Sequence, residues 1–159
     1  SAEKVRVNLL ALLEKSIQKF KQIKGSGISF NLSCSEVIVV EVDPLESDLV
    51  LYNLFKNSLE ACKNESAPLI SITVEESEQE AVIQIRDNGP EISEDLVNSI
   101  FIPKVSQKTD GLGLGLSICK ALAESQGGCL SAIRNAEGHL VMKLCLLKAD
   151  SVKEIGENQ

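Results

Sequence analysis

A chain of 159 residues suits one folded domain, since single hydrophobic cores generally hold about 100 to 200 residues, and 43% hydrophobic with 25% charged residues excludes disorder, collagen-like repeats and coiled coil. Sixteen Lys and Arg against 23 Asp and Glu give a net charge of -7, which disfavours non-specific attraction to nucleic acid or an anionic membrane. A single histidine, His139, excludes a polyhistidine metal site, and five scattered cysteines without a C-x-x-C pair indicate neither a zinc site nor a complete disulfide framework.

In chain order, Val5 to about Lys24 carries Val5, Leu9, Leu12, Leu13, Ile17 and Phe20 at three- and four-residue spacing, which predicts an amphipathic helix ended by Gly25 and Gly27. Ile28 to Leu32 and Val37 to Val42 read as two strands around a turn at Ser33 to Glu36. Asp43, Pro44 and Glu46 announce the next helix: an N-cap acceptor, a residue pre-set at helical φ, and a capping-box acid. That helix runs to about Lys63, and its predicted core-facing arc is Val50, Leu51, Leu54, Phe55, Ala61 and Cys62.

Leu69 to Glu75 and Glu80 to Arg86 alternate as a hairpin across Glu76 to Gln79, followed by a loop at Asp87 to Pro90. Ser93 caps a short helix to about Ile100, and Phe101 to Asp110 has no steady period. A helix is expected from Gly113 to Ser125, closed by Gly127 and Gly128. Cys129 to Arg134 and His139 to Leu147 form a last hairpin, and residues after about Ala149 are expected to fray. This order predicts an α/β (α+β) two-layer sandwich: a mixed sheet covered on one face by helices. No run approaches the roughly 18 apolar residues of a membrane span.

Three features carry candidate chemistry. Asn53 and Asn57 lie one turn apart just beyond the apolar arc of the second long helix. They are either surface amides or the margin of a ligand pocket, where the Asn57 amide oxygen supplies a hard ligand to magnesium. Arg86-Asp87-Asn88-Gly89-Pro90 ends a strand. Asp87 is either a turn-former or an acceptor for an exocyclic amino group, with Gly89 leaving room for a flat base. Gly111, Gly113 and Gly115 alternate straight into a helix. Since each glycine weakens a helix by roughly 1 kcal/mol, three at a helix start need a reason: the run is either a plain glycine-rich turn or a phosphate cradle of free amides at the helix N-terminus. It is neither a P-loop nor a dinucleotide fingerprint.

Together these segments resemble, in order, the N, G1, F and G2 boxes of the ATP-binding catalytic domain of two-component sensor histidine kinases. That domain belongs to the Bergerat-fold superfamily shared with gyrase, Hsp90 and MutL. The resemblance runs from about Val5 to Leu146, with the N box at Leu51 to Ala61 and the F box from Ile100 through Lys108. It implies that residues 1–148 form the catalytic domain, that Asn57 binds magnesium, and that Asp87 and Gly89 receive the adenine. It also implies that Gly111, Gly113 and Gly115 line the triphosphate and that residues 100–110, with Phe101 and Lys108, form a lid. Departures are Glu91 at the second glycine of the first box, Ile102, Lys104 and Val105 in the lid, and Leu112 where Thr is common.

The superfamily's ATPases place a general-base Glu one turn before the magnesium Asn; here that position is Asn53, an amide that takes no proton at neutral pH. Hydrolysis is thereby disfavoured against transfer to a protein acceptor. His139 opens a strand and has no neighbouring acid in sequence, so the acceptor histidine is expected on a separate dimerisation domain outside this chain. The resemblance therefore implies a cytoplasmic Mg-ATP-dependent histidine kinase catalytic domain. Its implied partners are that phosphoacceptor domain and a response regulator, with no nucleic acid and no direct membrane contact. A non-catalytic nucleotide-sensing module, a serine kinase of the anti-sigma-factor type and a Bergerat ATPase are the competing readings.

Overall fold

The computed structural model describes residues 3–25, 27–34, 36–103 and 115–149. The elements are β1 (Val5–Asn8), α1 (Leu9–Lys24), β2 (Ser29–Ser33), β3 (Val39–Val42), α2 (Pro44–Cys62), β4 (Leu69–Glu76), β5 (Glu80–Asp87), α3 (Glu94–Ser99), α4 (Leu116–Ser125), β6 (Cys129–Arg134) and β7 (Leu140–Leu147). Among the described residues no helix is long and apolar enough to cross a membrane.

Five strands form one mixed sheet in the order β2-β4-β5-β7-β6, in which only β2 and β4 run parallel. α2 packs on β4 and β5, α4 on β6 and β7, and α1 leans on α2. Period-two alternation explains the division of faces. Ile70, Ile72, Ile83, Ile85, Leu144 and Leu146 are buried beneath the helices, while Thr73 and Arg86 lie exposed on the other face. The expected two-layer sandwich is what forms.

The few aromatics are concentrated rather than spread. Phe20, Phe30, Tyr52 and Phe55 meet edge to face, with centroids between 5.2 and 6.0 Å apart. Each such pair adds about 0.5–1.5 kcal/mol beyond its buried area, so this cluster ties α1, α2 and β2 together.

Three local expectations are corrected. The first helix does not begin at Val5: Val5 to Asn8 form a strand paired antiparallel with β3, and Asn8 then caps α1 by accepting from the Ala11 N–H at 3.0 Å. The two strands around Ser33 to Glu36 are not a hairpin, because β2 pairs in parallel with β4 while β3 pairs with β1. Ala61, placed on the core arc of α2, is exposed. Its carbonyl instead backs the loop after β5. The predicted caps Asp43 and Ser93 both hold, accepting from Leu45 and Glu46 and from Leu96 respectively.

Candidate functional site

α2 organises the site. Asn53 and Asn57 sit one turn apart on it. Asn53 is only 4% exposed and donates from Nδ2 to the Leu49 carbonyl at 2.7 Å, so it is held within its own helix. Asn57 is half-buried, and no described residue hydrogen-bonds its amide.

The turn after β5 is tied to the start of β4 and seated on the C-terminal end of α2. Asn88 makes the first tie: its Oδ1 accepts from Leu69 N at 2.9 Å, and its Nδ2 donates to the Ala67 carbonyl at 2.8 Å. Gly89 is buried, and a Cβ there would stand 2.5 Å from the Ala61 carbonyl oxygen and 2.7 Å from Asp87 Oδ1. Only glycine permits this approach. Ala61 lies one turn beyond Asn57, so the close fit seats the Asp87 to Gly89 turn beside the turn that carries Asn57.

Asp87 is half-buried, and its Oδ1 accepts the Gly89 N–H at 2.8 Å. No described residue donates to its other oxygen. Burial pushes its carboxyl above the ordinary carboxylate value; the Gly89 N–H and the charge of His139 oppose that shift, and Glu65 adds to it. A carboxylate kept partly from water with one oxygen unclaimed is equipped to accept a hydrogen bond from a ligand.

Gly115 is the N-cap of α4 and offers no side-chain acceptor to the first amides, and no acid stands in the first turn. Its φ of -66° is open to any residue, and a Cβ would meet nothing nearer than the Ser117 hydroxyl at 3.7 Å. Packing among the described residues therefore does not demand glycine there. α4 packs against α2, which sets this helix start on the same helical layer as the asparagines. Phe101 is half-buried against the core, with the Lys120 ammonium of α4 4.9 Å from its ring centre. Lys108, Gly111 and Gly113 fall outside the described residues, as does the lid from 104 to 110.

Two relationships were not legible locally. His139 lies across a recess that also includes Asp87, Asn88 and Ser71, so it does have an acid near it, though one remote in sequence. Glu91 turns away from the pocket: its Oε1 would stand 2.6 Å from a Cβ on Gly138, in the β6–β7 turn. The next residue fixes the chain there, Ile92 N donating to the Gly138 carbonyl at 2.8 Å and the Arg134 side chain donating from Nε to the Ile92 carbonyl at 2.8 Å.

Comparison with known proteins gives a consistent result. Residues 42–150 match the family described as histidine kinase-, DNA gyrase B- and HSP90-like ATPase. The sensor protein KdpD of Clostridium acetobutylicum is 34% identical over 119 residues, 71% of this chain and 13% of its own length. The sensor histidine kinase ZraS of Escherichia coli strain K12 is 30% identical over 134 residues, 83% of this chain and 28% of its own. The chain thus spans less than a third of these relatives. Among solved structures, the catalytic domain of histidine kinase ThkA superposes with a TM-score of 0.78 at 32% identity, covering 92% of this chain and 96% of that one.

Proposed function

The chain belongs to the family of histidine kinase-, DNA gyrase B- and HSP90-like ATPases, and on that footing we propose that it binds Mg-ATP and donates the γ-phosphate to a histidine of a separate dimerisation domain. The observation that carries this reading is the seating of Gly89 on the Ala61 carbonyl, which sets Asp87, with one oxygen that no described residue claims, beside the helical turn of Asn57.

In this reading the free oxygen of Asp87 accepts the amino group of adenine, and the absent side chain at Gly89 lets the flat base approach. The uncapped amides that begin α4 at Gly115, continuing the glycines at 111 and 113, receive the phosphates. The Asn57 amide oxygen is of the hard donor type that magnesium takes alongside its retained waters, and bound magnesium supplies charge neutralisation to the phosphate oxygens. Lys108 approaches the same oxygens from the lid, and Phe101 anchors the base of that lid on α4.

Asn53 decides between water and protein as acceptor. Its amide donates to its own helix and is buried, so it neither abstracts a proton nor holds an attacking water as a carboxylate would. Transfer then rests on positioning: the bond from the γ-phosphorus to the bridging oxygen breaks with ADP leaving, and a bond forms to an imidazole nitrogen that loses its proton. That imidazole belongs to the partner domain, because His139 is held at a strand start, its N–H donating to Asn135 Oδ1 at 2.9 Å. A response regulator is the proposed downstream partner; ThkA has been solved in complex with the response regulator TrrA.

The test is calorimetric titration with a non-hydrolysable ATP analogue and magnesium, followed by radiolabel transfer to the parent protein's dimerisation domain. Binding with an acid-labile, base-stable phosphoproduct is expected. Absence of binding at millimolar nucleotide, or an acid-stable product, overturns the proposal.

A further inference from the structure

Cys129 and Cys145 are far apart in sequence, yet they stand directly opposite each other on the antiparallel strands β6 and β7. Glu80 opens β5 on the other side of β7, opposite Leu147 and so diagonal to Cys145. By strand alternation all three point to the face of the sheet opposite α2 and α4. The two sulfurs and a carboxylate oxygen all lie within 4.8 Å of one another, and all three residues are half-buried. We propose that Glu80, Cys129 and Cys145 form a zinc-binding site at this end of the sheet.

The donor set suits that ion. Two thiolates and one carboxylate are an ordinary complement for Zn²⁺, leaving a fourth position to water. Bonds of about 2.3 Å to sulfur and 2.0 Å to oxygen place tetrahedral ligand atoms roughly 3.5–3.8 Å apart, so the observed spacing closes by side-chain rotation alone. Lys143, two residues before Cys145 on the same face, offsets the surplus negative charge of the three ligands.

The backbone also pre-arranges the donors. A Cβ on Gly128 would stand 2.0 Å from the Cys145 carbonyl oxygen. Only glycine lets the chain leave α4 and drop onto β7 so closely, and that approach delivers Cys129 to its place. Glu80 is fixed from the other side, its N–H donating to Ser77 Oγ at 3.2 Å and its carbonyl accepting from Ser77 N at 2.9 Å. The same turn is tied to the end of β7 by Lys148, whose N–H donates to the Gln79 carbonyl at 2.9 Å. Ligands from three adjacent strands held in this way lose little freedom on binding a metal. The site lies across the sheet from α4, on strands that follow its C-terminal end, whereas the proposed phosphate site lies at the N-terminus of that helix, so the inference does not depend on the nucleotide reading.

The test titrates the reduced chain with Co²⁺ and then Zn²⁺, following sulfur-to-cobalt charge-transfer absorbance. One equivalent of Co²⁺ displaced by Zn²⁺ is expected, with the band lost in Cys129→Ser and in Cys145→Ser and affinity reduced at least tenfold in Glu80→Gln. In the wild-type chain, which needs no variant to fold, Zn²⁺ is expected to shield Cys129 and Cys145 from alkylation, mapped by peptide mass spectrometry, while Cys34 reacts. Absence of the band, shielding confined to Cys34, Cys62 or Cys119, or a Cys129–Cys145 disulfide forming under the same conditions in place of metal uptake overturns the proposal.

Discussion

The Gln126 amide oxygen accepts the backbone N–H of Asp43 at 2.9 Å, the bond that a capping box would have assigned to Glu46. Gln126 also donates from Nε2 to the Glu46 carboxylate at 3.1 Å and accepts from the Ser47 hydroxyl at 3.4 Å. The residue that ends α4 thus completes the start of α2. Gln126 is buried, 3% exposed, so Gln126→Leu leaves the Asp43 N–H and the Ser47 hydroxyl without this acceptor. A loss of about 1–3 kcal/mol is expected in urea unfolding; an unchanged midpoint would refute the role.

Gly89→Ala tests the seating of the adenine-side turn. Its methyl would overlap the Ala61 carbonyl and the Asp87 carboxylate, forcing one of them to move at a cost of about 1–3 kcal/mol. Nucleotide affinity is expected to fall at least about tenfold, read by calorimetry. Equal affinity for the variant and the wild-type chain would mean that the turn does not position Asp87.

Asp87→Asn separates binding from stability. The Asp87 carboxyl is raised above its ordinary value chiefly by burial. Its ionised form is therefore the one that folding disfavours: the penalty is absent below the unfolded-state value and complete above the folded one. Asparagine keeps the acceptor for the Gly89 N–H and removes the charge. The variant is expected to melt at or above the wild-type temperature at pH 7, the advantage shrinking as pH falls toward the carboxylate range. Its nucleotide affinity is expected to drop at least about tenfold. A variant that melts lower at pH 7 contradicts the burial argument.

For Asn57→Ala the expected signature is dependence on the metal. Loss of a hydrogen-bonding oxygen to a charged group costs about 1.5–3 kcal/mol, seen as weaker nucleotide binding in magnesium and little change in chelator. Equal losses in both buffers would assign Asn57 to the nucleotide itself.

Glu91 replaces a glycine that the resemblance expects, yet its carboxylate lies over Gly138 rather than in the pocket. Glu91→Ala is accordingly a surface change, worth within about 0.5 kcal/mol, and nucleotide affinity should stay within about threefold of wild type. A gain of tenfold would show that the negative charge does reach the phosphates.

Much of this was legible because the signals are local. Asp43 and Ser93 announce their helices through side chains that cap within three residues, and the β4–β5 and β6–β7 hairpins follow from alternation interrupted by short polar turns. The candidate site residues stood out for a different reason, since an amide pair, a strand-end carboxylate and a glycine run each limit what chemistry can follow. The failures concern partners distant in the chain. Val5 fits the helical spacing that follows it, and only β3 makes its segment a strand. The parallel pairing of β2 with β4 has no local cue at all. Nor does alternation within β6 or β7 reveal that Cys129 meets Cys145 or that His139 lies near Asp87.

The same strand order carries a consequence for how the chain assembles. β2 has no strand partner in the large sheet until β4 follows it, and β5 and β7 pair across α3 and α4. During synthesis the β4–β5 hairpin is the earliest piece of that sheet able to close locally, while β1, β3 and β2 wait for distant partners. Loop closure over long separations slows folding, so the hairpin is the expected nucleus. Substitutions of Ile72 or Ile83 should retard refolding, whereas those at Val40 should chiefly hasten unfolding, a contrast that stopped-flow measurements on the two sets would reveal or refute.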